Sequence, residues 1–430
     1  MLCMSQRPCC RQSRLQLTMA AHPGSRIRKV LTRHCHCSLS TRRLVFVTCL
    51  ISSVLWLLLQ LLPSDTPIPH IPPRPPPQPG PLPPTGTKTI LFWSPFFRAE
   101  HPNLHDDLSQ CPVSHCHLTN ERSAIDTAAA VVFHAAYDAW AHPDDVPVRR
   151  YTDQVYVYFN LESPAAQEQI DLKAEAWRDF FNLTWTYRLD SDVVSNFYVD
   201  EEFQRFWNAR TPFETTRRKN RALAFVSICD SAGKRELLTW ELGWHFPVDV
   251  IGGCGTRKRE CPKQVDGRME CERRLTGEYK FYLAFENSLC PDYVTEKPFR
   301  ALAFGAIPVV RGGANYTHFL PPGSFMDASA FDSPAELGHY LHKVADNDDL
   351  YQQYFKWHKP DAARPVLMDP KRSSLCRLCE ILHTPGYRSE SVRNLSEWWA
   401  RGQTAMCTPT ANWWWLRMRF YWECLLGRIR

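Results

Sequence analysis

Thr295, Glu296, Lys297 and Pro298 stand in a row between two apolar runs of strand length, residues 281–285 and 307–310. A lysine beside a helix start is a seat for phosphate, because the free N–H groups and partial positive charge there favour an anion. Glu296 contradicts a pure phosphate cradle, since a carboxylate suits hydroxyl donors such as those of a ribose. Taken together the pair points to a sugar nucleotide, although such a triplet alone also suits an ordinary surface helix start.

The elements that must position these residues are legible around them. Residues 298–304 form an apolar helical patch closed by Gly305, so the stretch reads as strand, polar loop, helix, strand. Thr295 is expected to cap the helix by accepting from a free N–H, and Pro298 is tolerated in the first turn, where its missing N–H costs nothing. The result is a βαβ unit with its polar residues at one end.

At 430 residues the chain has room for two cores once non-globular segments are removed. Residues 44–62 carry no charge over 19 positions, which predicts a membrane span. Residues 1–43 hold nine Arg or Lys and no Asp or Glu, so the tail should stay cytosolic and the rest become luminal. A cleaved signal peptide fits less well, because its apolar core would be shorter and end at small residues. Subtracting the tail's +9 from the whole chain's +6 leaves −3, no basic field for nucleic acid. Between 63 and 84, twelve of 22 residues are proline, which predicts an extended stem through residue 87.

From residue 88 strands alternate with helices: strands at 89–93, 128–134 and 154–160, and a helix at 167–180. The polar, basic residues 209–221 mark a domain junction. A second series follows, with a strand at 222–228, a helix at 234–244, a strand at 248–251, the βαβ unit, and helices near 334–344 and 350–357. The fold class is therefore α/β, two doubly wound domains at 88–215 and 216–385, with chemistry at the C-terminal ends of strands. No Gly-x-Gly-x-x-Gly fingerprint or Walker lysine loop occurs, which argues against a dinucleotide dehydrogenase or P-loop enzyme.

Four ordered motifs carry a resemblance. FYLAFENS at 281–288 with DYVTEK at 292–297 is joined by LESP at 161–164 and FNLTWTYRLDSD at 181–192. Over residues 88–383 the chain resembles the α-1,3-fucosyltransferases, glycosyltransferase family 10, and its central block looks more like invertebrate members. The resemblance implies a GT-B fold, two Rossmann-like domains facing a cleft, with the final helices packing back. It implies inverting transfer of L-fucose from GDP-β-L-fucose to the 3-hydroxyl of an N-acetylglucosamine on a glycoprotein glycan. The N-glycan core is favoured over outer N-acetyllactosamine or Lewis-type units. A single-pass type II Golgi membrane protein with a luminal catalytic part follows from the span, the stem and the family.

Inverting displacement needs a base, a way to hold the departing diphosphate, and an oxocarbenium-like centre between them. On the resemblance Glu162 is the base, Arg235 and Lys297 clamp the diphosphate, and Glu296 accepts from ribose hydroxyls. Tyr282, Asn287 and Tyr293 would contact donor sugar or nucleobase, Tyr282 equally suiting a core and Phe285 preferring one. Tyr187, Asp190 and Ser227 would line the cleft; a buried hydrogen-bonded pair is the plainer account of Tyr187 and Asp190. The chain departs from the family after the first donor-domain strand, where Ser227, Ile228 and Cys229 stand in place of Ser-Asn, and again at 191–195. No cofactor is required beyond the donor substrate and no metal site is assigned, with stimulation by Mn²⁺ and homo-oligomerisation left open. The rival reading is a non-catalytic Golgi glycan-binding protein of the same fold.

Eleven cysteines follow the span, in a compartment that oxidises them. The resemblance implies bridges from Cys376 and Cys379 back to Cys111 and Cys116. Apart from the resemblance, Cys254 and Cys261 are read as a further pair, and the odd count leaves at least one thiol free or paired with another chain. Asn182, Asn315 and Asn394 open glycosylation sequons. Residues 386–430 lie outside the resemblance; their tryptophan and arginine cluster at 413–422 suits a membrane interface, packing on the domain, or disorder.

Overall fold

The computed structural model describes residues 86–96, 99–101, 103–135, 146–165, 172, 177–195, 217–255, 261, 268–358, 373–384, 392, 394–400 and 407. These all fall in the unit His70–Arg430. Among them no helix is long and apolar enough to cross a membrane, and the expected tail, span and stem lie outside them except for residues 86 and 87.

Eleven described strands make two sheets. The first contains β1 (Lys88–Phe92), β2 (Cys116–Thr119), β3 (Ala128–His134), β4 (Val155–Asn160), β5 (Leu183–Thr186) and β6 (Val193–Val194), in the order β2-β1-β3-β4-β5-β6. The second contains β7 (Lys219–Phe225), β8 (Val248–Ile251), β9 (Tyr279–Phe285), β10 (Ile307–Arg311) and β11 (Met326–Asp327), in the order β11-β10-β9-β7-β8. Every pairing is parallel. In both sheets the second strand pairs outside the first and the third pairs on its other side. Each therefore has a switch point, between β1 and β3 and between β7 and β9, where ligands bind at strand C-termini.

Alternation along the strands builds a core on each face. In the first sheet Val131, Phe133, Tyr156 and Tyr158 face Trp177, Phe180 and Phe181, whereas Val132, Val157, Phe159 and Trp185 face the other way. There they meet Leu375, Leu378 and Ile381 of a helix at Ser374–His383. In the second sheet Ala224, Phe281, Leu283 and Val309 pack on the helices α1 (Arg235–Leu242), α4 (Pro334–Ala345) and α5 (Asp348–Gln353). α2 (Arg268–Thr276) and α3 (Glu296–Ala303) complete that half. The Ser374–His383 helix, α6, returns to the first sheet, and α7 (Leu395–Ala400) follows it.

Several expectations change. The strand after the junction begins at Lys219, so the last residues of the expected linker are already paired; their outward side chains hid the strand from an apolar pattern. Of the helix expected at 167–180, Trp177–Phe180 is a turn, with Asp179 at φ 54, and the rest lies outside the described residues apart from Leu172. Thr295 occupies the cap position of α3 without capping it, because its hydroxyl turns to Glu286. Asn182 does not suit glycosylation in this fold. It is 6% exposed, and its side-chain oxygen accepts from the Tyr156 N–H at 2.8 Å. Asn315 and Asn394 are exposed.

Cys111 is bonded to Cys376 and Cys116 to Cys379, tying α6 to the first sheet. The pair expected from Cys254 and Cys261 is replaced by Cys229–Cys254 and Cys261–Cys271. Because β7 and β8 run side by side, the loops leaving them bring Cys229 and Cys254 to a Cα separation of 5.3 Å, within disulfide reach. A fifth bridge joins Cys290 to Cys407. The eleventh cysteine, Cys424, lies outside the described residues.

Candidate active site

The switch point of the second sheet gathers most of the sequence-predicted residues. Arg235 opens α1 after β7, and Glu286 through Lys297 follow β9. The turn before α1 is clamped from two sides. Gly233 N–H donates to the Asn287 carbonyl at 2.6 Å, and Arg311, at the end of β10, donates to the Gly233 carbonyl at 2.7 Å. A Cβ at Gly233 would stand 3.1 Å from the Asn287 carbonyl carbon, so any side chain there would push the two turns apart by a few tenths of an ångström. Burial pulls the Arg311 guanidinium down to about 10. Arg235 emerges from this turn 6% exposed; one guanidinium nitrogen reaches the Phe285 carbonyl at 3.4 Å, while Nε has no hydrogen-bond partner. A buried, under-satisfied guanidinium costs free energy that a planar anion would offset.

Glu286 is the residue that sequence reasoning missed. It is fully buried, and its carboxylate accepts from the Thr295 N–H at 2.8 Å, the Thr295 hydroxyl at 2.9 Å and Lys297 Nζ at 2.9 Å. The signal was present: with Tyr282 and Ala284 on one face of β9, the period of two puts Glu286 on the same face. Lys297 is thus held rather than waving: its Nζ also donates to the Thr295 hydroxyl at 2.5 Å, and Glu296 lies at 3.9 Å. Burial pushes the Glu296 carboxyl up, but Lys297 and Arg300 outweigh it and bring it down to about 2. Asn287 is half-buried, with its side-chain oxygen accepting from the Ser288 hydroxyl at 3.0 Å. Tyr282 belongs to the core: it is 5% exposed beside Phe225, and burial drives its phenol far up. Ser227 is half-buried where β7 and β8 converge. A Cβ on Gly253 would stand 2.7 Å from the Ser227 carbonyl oxygen.

Glu162 comes from the first sheet. As β4 ends, the Asn160 side chain accepts from the Glu162 N–H at 2.9 Å and turns the chain toward the second half. There the Tyr293 hydroxyl donates to Glu162 at 3.2 Å, and Ser163 donates to Ser288 at 2.7 Å. Asp292, at φ 60, accepts from the Leu189 N–H at 3.2 Å. One segment, 286–297, therefore carries both the lysine and the tyrosine that touches the carboxylate.

Tyr187 and Asp190 do not form the buried hydrogen-bonded pair that was the alternative to their lining the cleft. Tyr187 is buried edge-on to Tyr293 at 4.9 Å, whereas Asp190 is half-exposed in a two-pronged pair with Arg188 at 2.8 and 2.7 Å. Asp192, the other carboxylate of that Asp-Ser-Asp, accepts from the Thr184 N–H and hydroxyl at 2.8 and 2.7 Å. Cys116, Cys379 and His383 place possible metal-ligating atoms within 4.8 Å of one another. Both sulfurs belong to one disulfide and offer no thiolate.

The arrangement sets a carboxylate beside a tyrosine hydroxyl, with a held lysine and a buried arginine nearby in the second sheet. Such groups can accept a proton on one side and neutralise a phosphate-bearing leaving group on the other.

Residues 85–198 match the family model described as "Fucosyltransferase, N-terminal", and residues 215–398 the one described as "Glycosyltransferase family 10 (fucosyltransferase) C-term". Alpha-(1,3)-fucosyltransferase C of Drosophila melanogaster is 36% identical over 347 residues, covering 73% of this chain and 78% of that protein. Glycoprotein 3-alpha-L-fucosyltransferase A of the same fly is 32% identical over 71% of this chain and 58% of its own length. Alpha-(1,3)-fucosyltransferase 7 of Rattus norvegicus is 33% identical over 73% and 80%. A crystal structure of an alpha1,3-fucosyltransferase with GDP-fucose aligns at a TM-score of 0.47 with 15% identity, covering 74% of this chain and 95% of that one.

Proposed function

Because this chain belongs to the fucosyltransferases of glycosyltransferase family 10, we propose that it transfers L-fucose from GDP-β-L-fucose to the 3-hydroxyl of an N-acetylglucosamine on a glycoprotein glycan. Glu162 takes the hydroxyl proton as the sugar oxygen attacks the anomeric carbon from the face opposite the diphosphate, which inverts that centre. Arg235 meets the diphosphate with its planar fork and Lys297 meets it as a point charge, so the leaving group departs neutralised. With these two cations in place the reaction does not demand a metal; a chelator titration that abolished transfer would overturn that. Glu296, kept ionised, accepts from the ribose hydroxyls.

The observation that carries the reading is the hydrogen bond from Tyr293 to Glu162, because Tyr293 shares its short segment with Lys297. The test is the 430-residue chain in detergent with GDP-fucose and acceptors. Glu162→Gln should abolish transfer and keep GDP affinity. Near-normal turnover in that variant would remove Glu162 as the base.

For the acceptor we favour the innermost N-acetylglucosamine of an N-glycan, supported by two insect relatives, one of them named for glycoprotein substrates. Preference for an outer N-acetyllactosamine in a side-by-side assay would overturn it. A single-pass type II placement in the Golgi membrane is supported by the uncharged stretch 44–62, the basic tail and five disulfides in the folded part. Protease protection of residues 86–430 in sealed Golgi vesicles tests it, and digestion there would refute it.

A further inference from the structure

Part of the C-terminal stretch touches both halves of the protein. Val392 N–H donates to the Phe181 carbonyl at 2.7 Å. Trp398 donates its indole N–H to Asp190 at 3.1 Å, its carbonyl accepts from Arg188 at 3.1 Å, and the Arg188 guanidinium lies 4.4 Å over its ring. At the other end Cys407 is bonded to Cys290, and its carbonyl accepts from the Leu289 N–H at 3.1 Å. The stretch is fastened to the loop after β5 and to the loop after β9.

Between those fastenings lies Trp399, 2% exposed. Its ring stands 5.4 Å from that of Tyr158 and 5.8 Å from that of Tyr187. Tyr187 meets Tyr293 edge-on at 4.9 Å, and the Tyr293 hydroxyl donates to Glu162 at 3.2 Å. A line of ring contacts thus ends in one hydrogen bond to the carboxylate. Burial pushes the Tyr187 phenol far up, Arg188 opposing and Asp292, Asp190 and Glu162 adding to it, so Tyr187 stays protonated beside the base.

We propose that Trp399 is a positioning residue for fucose transfer: by filling the space behind Tyr187 it holds the Tyr293 hydroxyl on Glu162 and fixes the carboxylate against the acceptor. The inference rests on Glu162 being the base. Close-packed interiors transmit small displacements instead of absorbing them. A base displaced by about 1 Å can lose on the order of a hundredfold in rate.

The test uses the 430-residue chain with Trp399→Ala, Trp399→Phe and Tyr293→Phe, and Glu162→Gln alongside. Readouts are kcat, the acceptor KM, GDP affinity by calorimetry and the melting temperature. Trp399→Ala should lower kcat by about tenfold to a hundredfold and leave GDP affinity within about twofold. Trp399→Phe should restore most of kcat, and Tyr293→Phe should lower kcat with GDP affinity likewise kept. Wild-type kcat in folded Trp399→Ala, or GDP affinity falling in step with kcat, overturns the proposal. If Trp399→Ala does not fold, wild-type kcat in Tyr293→Phe overturns it. Turnover surviving in Glu162→Gln sinks the underlying assignment of the base, and is thereby distinguished from failure of the positioning role alone.

Discussion

Replacing Lys297 by methionine should damage the protein twice, and the two effects can be separated. Glu286 is fully buried and Lys297 is the cation bonded to it, at 2.9 Å. Removing one partner of a buried pair leaves an uncompensated charge and costs about 3–5 kcal/mol, a large share of the roughly 5–15 kcal/mol that holds a typical fold. At about 2–4 °C per kcal/mol the apparent melting point should fall by roughly 6–20 °C. Glu286→Gln in the same chain removes the orphaned charge and should recover much of that loss, giving a coupling of about 1–3 kcal/mol. Donor affinity should not recover, because a charge-assisted contact to phosphate, about 1.5–3 kcal/mol, is missing in both variants. The assay is a double-mutant cycle read by thermal unfolding and by GDP calorimetry. A single variant as stable as the double, or GDP affinity unchanged in Lys297→Met, would refute the reasoning.

Two acid responses follow from the titrating groups. Glu296 sits at about 2 in the fold against an ordinary 4.5, so its contribution to stability is present above pH 4.5 and is lost as pH falls toward 2. Glu296→Gln should flatten stability over that window in urea titrations; an unchanged slope would contradict the ion-pair account. Burial brings His101 to about 3 and His134 to about 4, which keeps both neutral in the fold. The unfolded chain takes up their protons first, so stability falls as pH drops below 6.5 and continues falling until the folded values are reached. His101→Phe, which preserves the stack on Phe92 seen at 4.0 Å, should weaken the pH dependence between 6.5 and 5. The same dependence in that variant would argue against a buried neutral histidine.

Most central strands were legible because burial on both faces leaves continuous apolar runs, as at β3 and β9, whereas the inner strand β5, with two threonines in its four residues, was not. Of the four edge strands only Val248–Ile251 was legible: Cys116–Thr119, Val193–Val194 and Met326–Asp327 are too short or too polar to carry a period. Local sequence placed Arg235 at the first turn of α1, since a strand, a loop and a helix pattern follow in order. It misplaced the Thr295 hydroxyl because that group can donate as well as accept, and the buried Glu286 carboxylate holds it as a donor, turned away from the helix N–H groups. Cys254 was paired with the wrong neighbour because proximity along the chain says nothing of proximity across two parallel strands.

The same physics explains why the donor side of the cleft could be read and its junction with the base could not. Lys297, Glu286 and Thr295 interact over at most eleven positions, after a single strand. The contact from Tyr293 to Glu162 spans 131 positions and exists only because two separately wound sheets meet. The chain fastens that meeting by several independent means: Ser163 to Ser288, Leu189 to Asp292, and the Cys290–Cys407 bridge. Each fastening involves the loop after β9, where a helix start supplies Lys297. A segment whose sequence speaks of phosphate therefore also sets the carboxylate of the opposite half, so a substitution there should alter turnover even where it spares donor affinity.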